Sequence, residues 1–285
     1  MDFSFFEEIV IPTSRGAVPA LVAGEGPIVV CWHGFPDHPA SFSPLASRLV
    51  AAGRRVVAPF LRGHHPSTFD SLPFSDGLTL AADAAALNSA LSPEPLDVIG
   101  HDIGAGVAGR LAAVWPERVR RVITMSVPPP SALRTIFDDP AQQKRFFYLF
   151  MFQVPGVAES LLNDTLIEYL WRTWSPGLEV PSYVRAMYAD PSLRANALKL
   201  YRANFDRSLH DPELASLAQV AQQPASVPLL VLAGSEDGCI TPSNYDDVAT
   251  SLAPGSRVEI VADAGHFLQL DRPDEVAALA LDWLS

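Results

Sequence analysis

The chain has 285 residues, 48% of them hydrophobic and 18% charged, which suits a large core in one domain or in one domain with an insertion. A formal net charge of −12 argues against nucleic acid or an anionic membrane as the main partner. No apolar run is long enough to span a bilayer and no leader-like segment is evident, so a cytoplasmic location is expected. Cys31 and Cys239 form neither a disulfide framework nor a metal pattern, and reduced thiols are expected.

Taken in order, Phe3–Ile11 and Ala17–Val22 predict two strands joined by a turn at Thr13–Gly16. Pro27–Trp32 is a Val-rich run, predicted to be a buried strand that delivers His33-Gly34-Phe35-Pro36-Asp37. A helix over Ser41–Ala52, a strand over Arg55–Ala58 and a loop holding Arg62-Gly63-His64-His65 come next. Thr79–Leu91 is Ala-rich and helical. Leu96–Ile99 predicts the next strand, Val107–Val114 a helix and Val119–Met125 another strand, stopped by Pro128-Pro129-Pro130. The alternation then breaks. Residues 131–225 hold helical stretches, many aromatics and no convincing strand. It resumes with a strand at Pro228–Ala233, a helix at Ser243–Leu252, a strand at Arg257–Val261 and a closing helix at Asp274–Leu284. Eight strands alternating with helices predict a mostly parallel sheet flanked on both faces. The expected organisation is a core of residues 1–130 and 226–285 with a helical cap of residues 131–225.

The stretch Gly100-His101-Asp102-Ile103-Gly104 sits between a strand and a helix. Its glycines allow a turn tight enough to strain and expose Asp102, and the helix beyond offers backbone N–H groups. An Asp before a helix is also a common N-cap, and on this stretch alone the two readings balance. The remaining strand ends break the tie. They carry Asp237 in Gly234-Ser235-Glu236-Asp237 and His266 in Asp263-Ala264-Gly265-His266. Nucleophile, acid, histidine is the chain order of the triad on nucleophile-elbow folds. Asp102 would attack, His266 would take a proton, and Asp237 would fix its tautomer. His33-Gly34-Phe35-Pro36 is the fourth element. With Phe35 and Ile103 supplying backbone N–H groups it would form an oxyanion hole, with a cis bond before Pro36.

Gly-His-Asp-x-Gly, His-Gly-Phe-Pro and Gly-His-Phe-Leu-Gln-Leu-Asp-Arg-Pro together resemble the epoxide hydrolase and dehalogenase branch of the α/β-hydrolase superfamily. The resemblance covers nearly the whole chain and implies the α/β-hydrolase fold, an eight-stranded sheet with a helical lid after the sixth strand, and an Asp nucleophile. Within the lid, Tyr148 stands five residues before the Gln of Phe152-Gln153-Val154-Pro155-Gly156, as in the epoxide hydrolase segment. Ala197–Asn204 is similar to the segment carrying the second lid tyrosine, which falls on Tyr201. Two phenols aimed at one oxygen suit a strongly basic leaving alkoxide, although a Tyr among Phe residues is more often only packed. His33, Phe35, Pro36, Ile103, Phe152 and Phe267 are the candidate substrate contacts.

The implied activity is hydrolysis of a small hydrophobic epoxide by water, without cofactor or metal. Ile103 stands where many members carry Trp, and it cannot donate to a halide. A dehalogenase on the same scaffold is therefore the second reading, and a non-catalytic ligand-binding member the third. His64-His65 lacks ligand spacing and reads as packed or solvated. The sequence is compatible with a homodimer.

Overall fold

A computed structural model of the chain describes residues 5–68, 73–133 and 136–285. The strands are β1 (Glu7–Thr13), β2 (Gly16–Ala23), β3 (Ile28–Trp32), β4 (Arg55–Pro59), β5 (Leu96–His101), β6 (Val119–Met125), β7 (Leu229–Gly234) and β8 (Arg257–Val261). They form one sheet in the order β1-β2-β4-β3-β5-β6-β7-β8. β2 pairs antiparallel with β1 and β4, and every other pairing is parallel. The first residues of the strand expected from Phe3 lie outside the described residues.

The central strands are apolar on both faces because helices cover both. α1 (Ser43–Ala51) and α11 (Pro273–Trp283) pack on each other, as do α2 (Gly77–Leu91) and α3 (Ile103–Val114). The order in which strands are added reverses between β3 and β5, which are parallel neighbours with Trp32 opposite Gly100. Chain crossovers leave on opposite sides at such a point and open a crevice at the strand ends. His33–Pro36 and Asp102 therefore emerge side by side.

Between β6 and β7 lie α4 (Pro140–Arg145), α5 (Phe147–Met151), α6 (Val157–Leu161), α7 (Asp164–Trp174), α8 (Ser182–Ala189) and α9 (Pro191–Arg202), with no strand among the described residues. A last short helix, α10 (Leu268–Asp271), comes after β8. No helix among the described residues is long and apolar enough to cross a membrane.

Two expected elements differ. α3 begins at Ile103, not Val107. Gly104 and Gly106 are poor helix formers, but tertiary packing overrides them: a Cβ on Gly104 would stand 2.0 Å from the Trp32 carbonyl oxygen, so only Gly lets α3 start against β3. Ser243–Leu252 is not an α-helix but two 3-10 turns, Pro242–Tyr245 and Val248–Ser251. Asn244 turns its side-chain amide back to the Thr241 carbonyl and across to Gln142, the local competition that keeps short polar residues out of helices.

Candidate active site

Asp102 has φ 52° and ψ −116°, a conformation seldom adopted by a residue with a Cβ. Its N–H donates to Met125 O at 3.1 Å, and its carbonyl accepts from Ala105 and Gly106. The backbone is thus over-determined by β6 on one side and α3 on the other. Its side chain does not cap α3, so the N-cap alternative fails on geometry. Instead Oδ1 accepts the Phe35 N–H at 2.8 Å. A Cβ on Gly34 would lie 2.4 Å from that same oxygen, so the loop can approach only because residue 34 is Gly. The Phe35–Pro36 peptide bond is cis, as expected.

Oδ2 of Asp102 faces Nε2 of His266 at 3.5 Å. On the far side of the ring, Nδ1 of His266 meets Oδ2 of Asp237 at 2.9 Å. Asp237 Oδ1 accepts the N–H groups of Cys239 (2.7 Å) and Ile240 (3.0 Å). This Asx-type turn is readable in principle from an Asp followed by Gly-Cys, although those two donors were not foreseen. The three expected residues therefore form one chain from Asp102 through His266 to Asp237, fully shielded from solvent except at Asp102. The backbone of His266 is tied on three sides: its N–H donates to Trp174 O, and its carbonyl accepts from His101 Nε2 and the Ser126 hydroxyl. His101 in turn stands 3.4 Å from the buried Asp37.

Electrostatics follow from this enclosure. Burial alone would lower the His266 pKa, but the charge and hydrogen bond of Asp237 and the nearby Asp102 carboxylate raise it to about 10, above its ordinary 6.5. Burial pushes Asp102 the other way, and the hydrogen bond and charge of His266 with the Phe35 N–H bring it below the ordinary carboxylate value. A histidine whose pKa is raised on folding stabilises fully below its unfolded pKa and loses that contribution as pH climbs through the folded value. The stability difference between the wild type and His266→Gln is therefore expected to shrink between pH 6.5 and about 10. Denaturant midpoints of both proteins across that range test it. A difference that stays constant or grows would mean that His266 is not held as a cation.

A cavity of about 190 Å³ opens at Asp102 and is lined by Ile103, Tyr148, Tyr201 and Cys239 among others. The two tyrosines come from α5 and α9, far apart in sequence, and their rings meet edge to face with centroids 5.7 Å apart. The Tyr148 hydroxyl is 3.7 Å from Cys239 Sγ. Burial, reinforced by neighbouring groups including the Asp102 carboxylate, pushes both phenols well above their ordinary pKa, so both remain O–H donors at neutral pH.

Five residues expected to touch substrate, His33, Phe35, Pro36, Phe152 and Phe267, do not line this cavity. His33 is a buttress: Nε2 accepts the Leu61 N–H at 3.1 Å, so the proton sits on Nδ1, which donates to Gly34 O. Burial holds it neutral, with its pKa well below the usual value. The Pro36 carbonyl accepts from the Trp171 indole at 2.8 Å. Phe267 stacks on that same Trp171, centroids 3.9 Å apart. These two hold α7 on the core. Phe152 is buried behind Tyr201 and Phe35. Phe35 contributes its N–H, while its ring packs edge-on against Tyr201. Ile103 does line the cavity. His64 is buried against the Arg62 carbonyl with its pKa lowered to about 4 by burial. Among the described residues there is no metal-competent cluster.

An acid on a strained strand-to-helix turn, facing a histidine–aspartate pair at the C-terminal ends of a mostly parallel sheet, is the arrangement of the α/β-hydrolase class. The chain belongs to the α/β-hydrolase fold family, whose family model matches residues 27–273. It is 28% identical to Epoxide hydrolase A of Mycobacterium tuberculosis over 98% of this chain and 97% of that protein. It is 29% identical to the AB hydrolase superfamily protein YfhM of Bacillus subtilis over 91% of each. Among solved structures, an epoxide hydrolase from an endophytic Streptomyces is 25% identical, with a TM-score of 0.76 over 99% of this chain and 96% of that one.

Proposed function

We propose that this hydrolase opens a largely hydrophobic epoxide to a vicinal diol through an ester on Asp102. One observation carries the reading: the Asp102 carboxylate shares its cavity with two buried phenols, Tyr148 and Tyr201, while its oxygens are held by Phe35 and His266. Oδ2 attacks an oxirane carbon, the C–O bond breaks, and a phenol gives its proton to the departing oxygen. The ester leaves Asp102 neutral. His266 then has one carboxylate neighbour in place of two, so its pKa falls; its proton passes back to the phenolate and the neutral imidazole becomes a base. It takes a proton from water, which attacks the ester carbonyl. The carbonyl oxygen is Oδ1, already on the Phe35 N–H, and the first amide of α3, on Ile103, has no acceptor within the helix and completes the pair. The tetrahedral species collapses, the carboxylic proton passes to the departing oxygen, the diol leaves, and Asp102 is again a carboxylate beside protonated His266.

The helices of residues 131–225 act as a cap, supplying both phenols and excluding water. No cofactor takes part. The same scaffold with halide as leaving group is less well supported, because Ile103 has no donor beyond its backbone and a halide needs no phenol.

His266→Gln separates the two halves. Alkylation needs only ionised Asp102, still held by Phe35, while ester hydrolysis needs the base. Incubation of the variant with a proven epoxide substrate is expected to raise the protein mass by the mass of the epoxide. An unmodified mass after long incubation would sink this division of labour.

A further inference from the structure

We infer that the guanidinium of Arg110 recognises an anionic end of the substrate, so that the preferred epoxide carries a carboxylate a few bonds from the oxirane. The inference rests on the epoxide-opening reading of Asp102.

Asp102, Gly106 and Arg110 succeed one another at the four-residue spacing that keeps side chains on one face of α3. Gly106 has no side chain, and Arg110 folds back over it: Nη1 donates to the Gly106 carbonyl at 3.0 Å. The cation thus stands at the level of Gly106, about 6 Å along the helix axis from Asp102. On its other side lies Gly77, where a Cβ would come within 2.9 Å of the guanidinium carbon. Two glycines therefore make the slot that holds it.

Among the described residues its charge is not matched by an ion pair. Arg15 and Arg62 both pair with Asp83, and Arg54 and Arg120 with Asp97. Arg110 is in no ion pair among the described residues. Asp76 acts on it electrostatically. Its carboxylate, however, is engaged by the N–H groups of Leu78, Thr79 and Asp211 and by the Thr79 hydroxyl. Burial lowers the Arg110 pKa, yet an arginine stays charged at neutral pH. A half-buried cation held only by the Gly106 carbonyl and the charge of Asp76 among the described residues is open to an anionic partner.

Its position suggests what that partner is. Arg110 lines the cavity of Asp102 and the phenols, and also a second, larger groove of about 570 Å³ bordered by Asp76, Asp211, Arg207 and His210. Gly77, Arg110 and Asn204 belong to both, so they form the neck between them. The inner cavity is otherwise mainly apolar, with Ile103, Val107, Leu133 and Leu200 on its walls. A substrate that fits has an apolar spine, an oxirane at Asp102 and a planar anion at the neck, where a guanidinium fork binds a carboxylate bidentately.

The test compares terminal epoxyalkanoates with matched epoxyalkanes on the full-length protein. The ratio of their kcat/KM values is expected to favour the carboxylate by about tenfold or more, and to fall as salt is added. Arg110→Gln is expected to bring the ratio near one, and Arg110→Lys to retain part of it. A wild-type ratio near one, a ratio untouched by salt, or a ratio that survives in Arg110→Gln would each overturn the inference. Calorimetry with a saturated alkanoate and the matching alkanol needs no turnover. Arg110-dependent alkanoate binding without opening of any epoxide would keep the anion site and overturn the epoxide reading. Epoxyalkane turnover with no alkanoate binding would overturn the anion site alone.

Discussion

Asp102→Asn is expected to lose turnover by on the order of 10⁴-fold or more, as loss of a nucleophile does elsewhere. The amide nearly preserves shape, so the Phe35 N–H can still donate to a carbonyl oxygen where Oδ1 now sits. What disappears is the charge, and with it both the proposed nucleophile and one of the two anions that hold His266 protonated. The variant should therefore fold while failing in the first chemical step. A complementary measurement tracks the oxygen. In a single turnover in heavy-oxygen water, the oxygen transferred to the diol comes from Asp102, and the water oxygen stays in the carboxylate. Mass analysis of the peptide containing Asp102 should find the label. Label confined to the first diol, with an unlabelled Asp102, would show that water attacks the epoxide directly and that the ester does not form.

The parts of the site that rest on strand ends were legible because buried parallel strands announce themselves. β5 and β7 are short apolar runs closed by Gly, and the residues just beyond each run must sit at the sheet edge. Asp102 and Asp237 are readable that way, while His266 follows the half-exposed strand β8 and is picked out by the chain order of the three. The aromatic contacts were harder. His33, Pro36, Phe152 and Phe267 belong to the right motifs, but whether a side chain faces a cavity or buttresses it depends on partners such as Leu61 and Trp171 that lie far away in sequence. The start of α3 was missed for a related reason. Two glycines look like helix breakers until β3 is packed against them. The role inferred for Arg110 also has a trace in the sequence: it repeats the four-residue step from Asp102 through Gly106. Reading it required knowing that α3 begins at Ile103.

The tyrosine pair gives the sharpest separation between epoxide and halide as leaving groups. Tyr148→Phe and Tyr201→Phe each remove one hydroxyl and keep the ring contacts with Phe35 and with each other. If the phenols served only packing, either change would alter activity little. As donors to the developing alkoxide, each is expected to slow single-turnover alkylation by about 10- to 1000-fold, the usual consequence of losing one transition-state donor. Their raised pKa values make them protonated across the working range, so the loss should be similar at neutral and mildly alkaline pH. The double variant should be almost inactive on epoxides, since the walls of the cavity offer the alkoxide mostly apolar neighbours and water is largely excluded beneath the helices. Any reaction with organohalides should survive, because halide leaves unprotonated. The decisive readout is the alkylation rate in wild type, both single variants and the double. Near wild-type epoxide rates in the double variant would remove the reason for preferring epoxide, and a dehalogenase would then be the better reading despite Ile103.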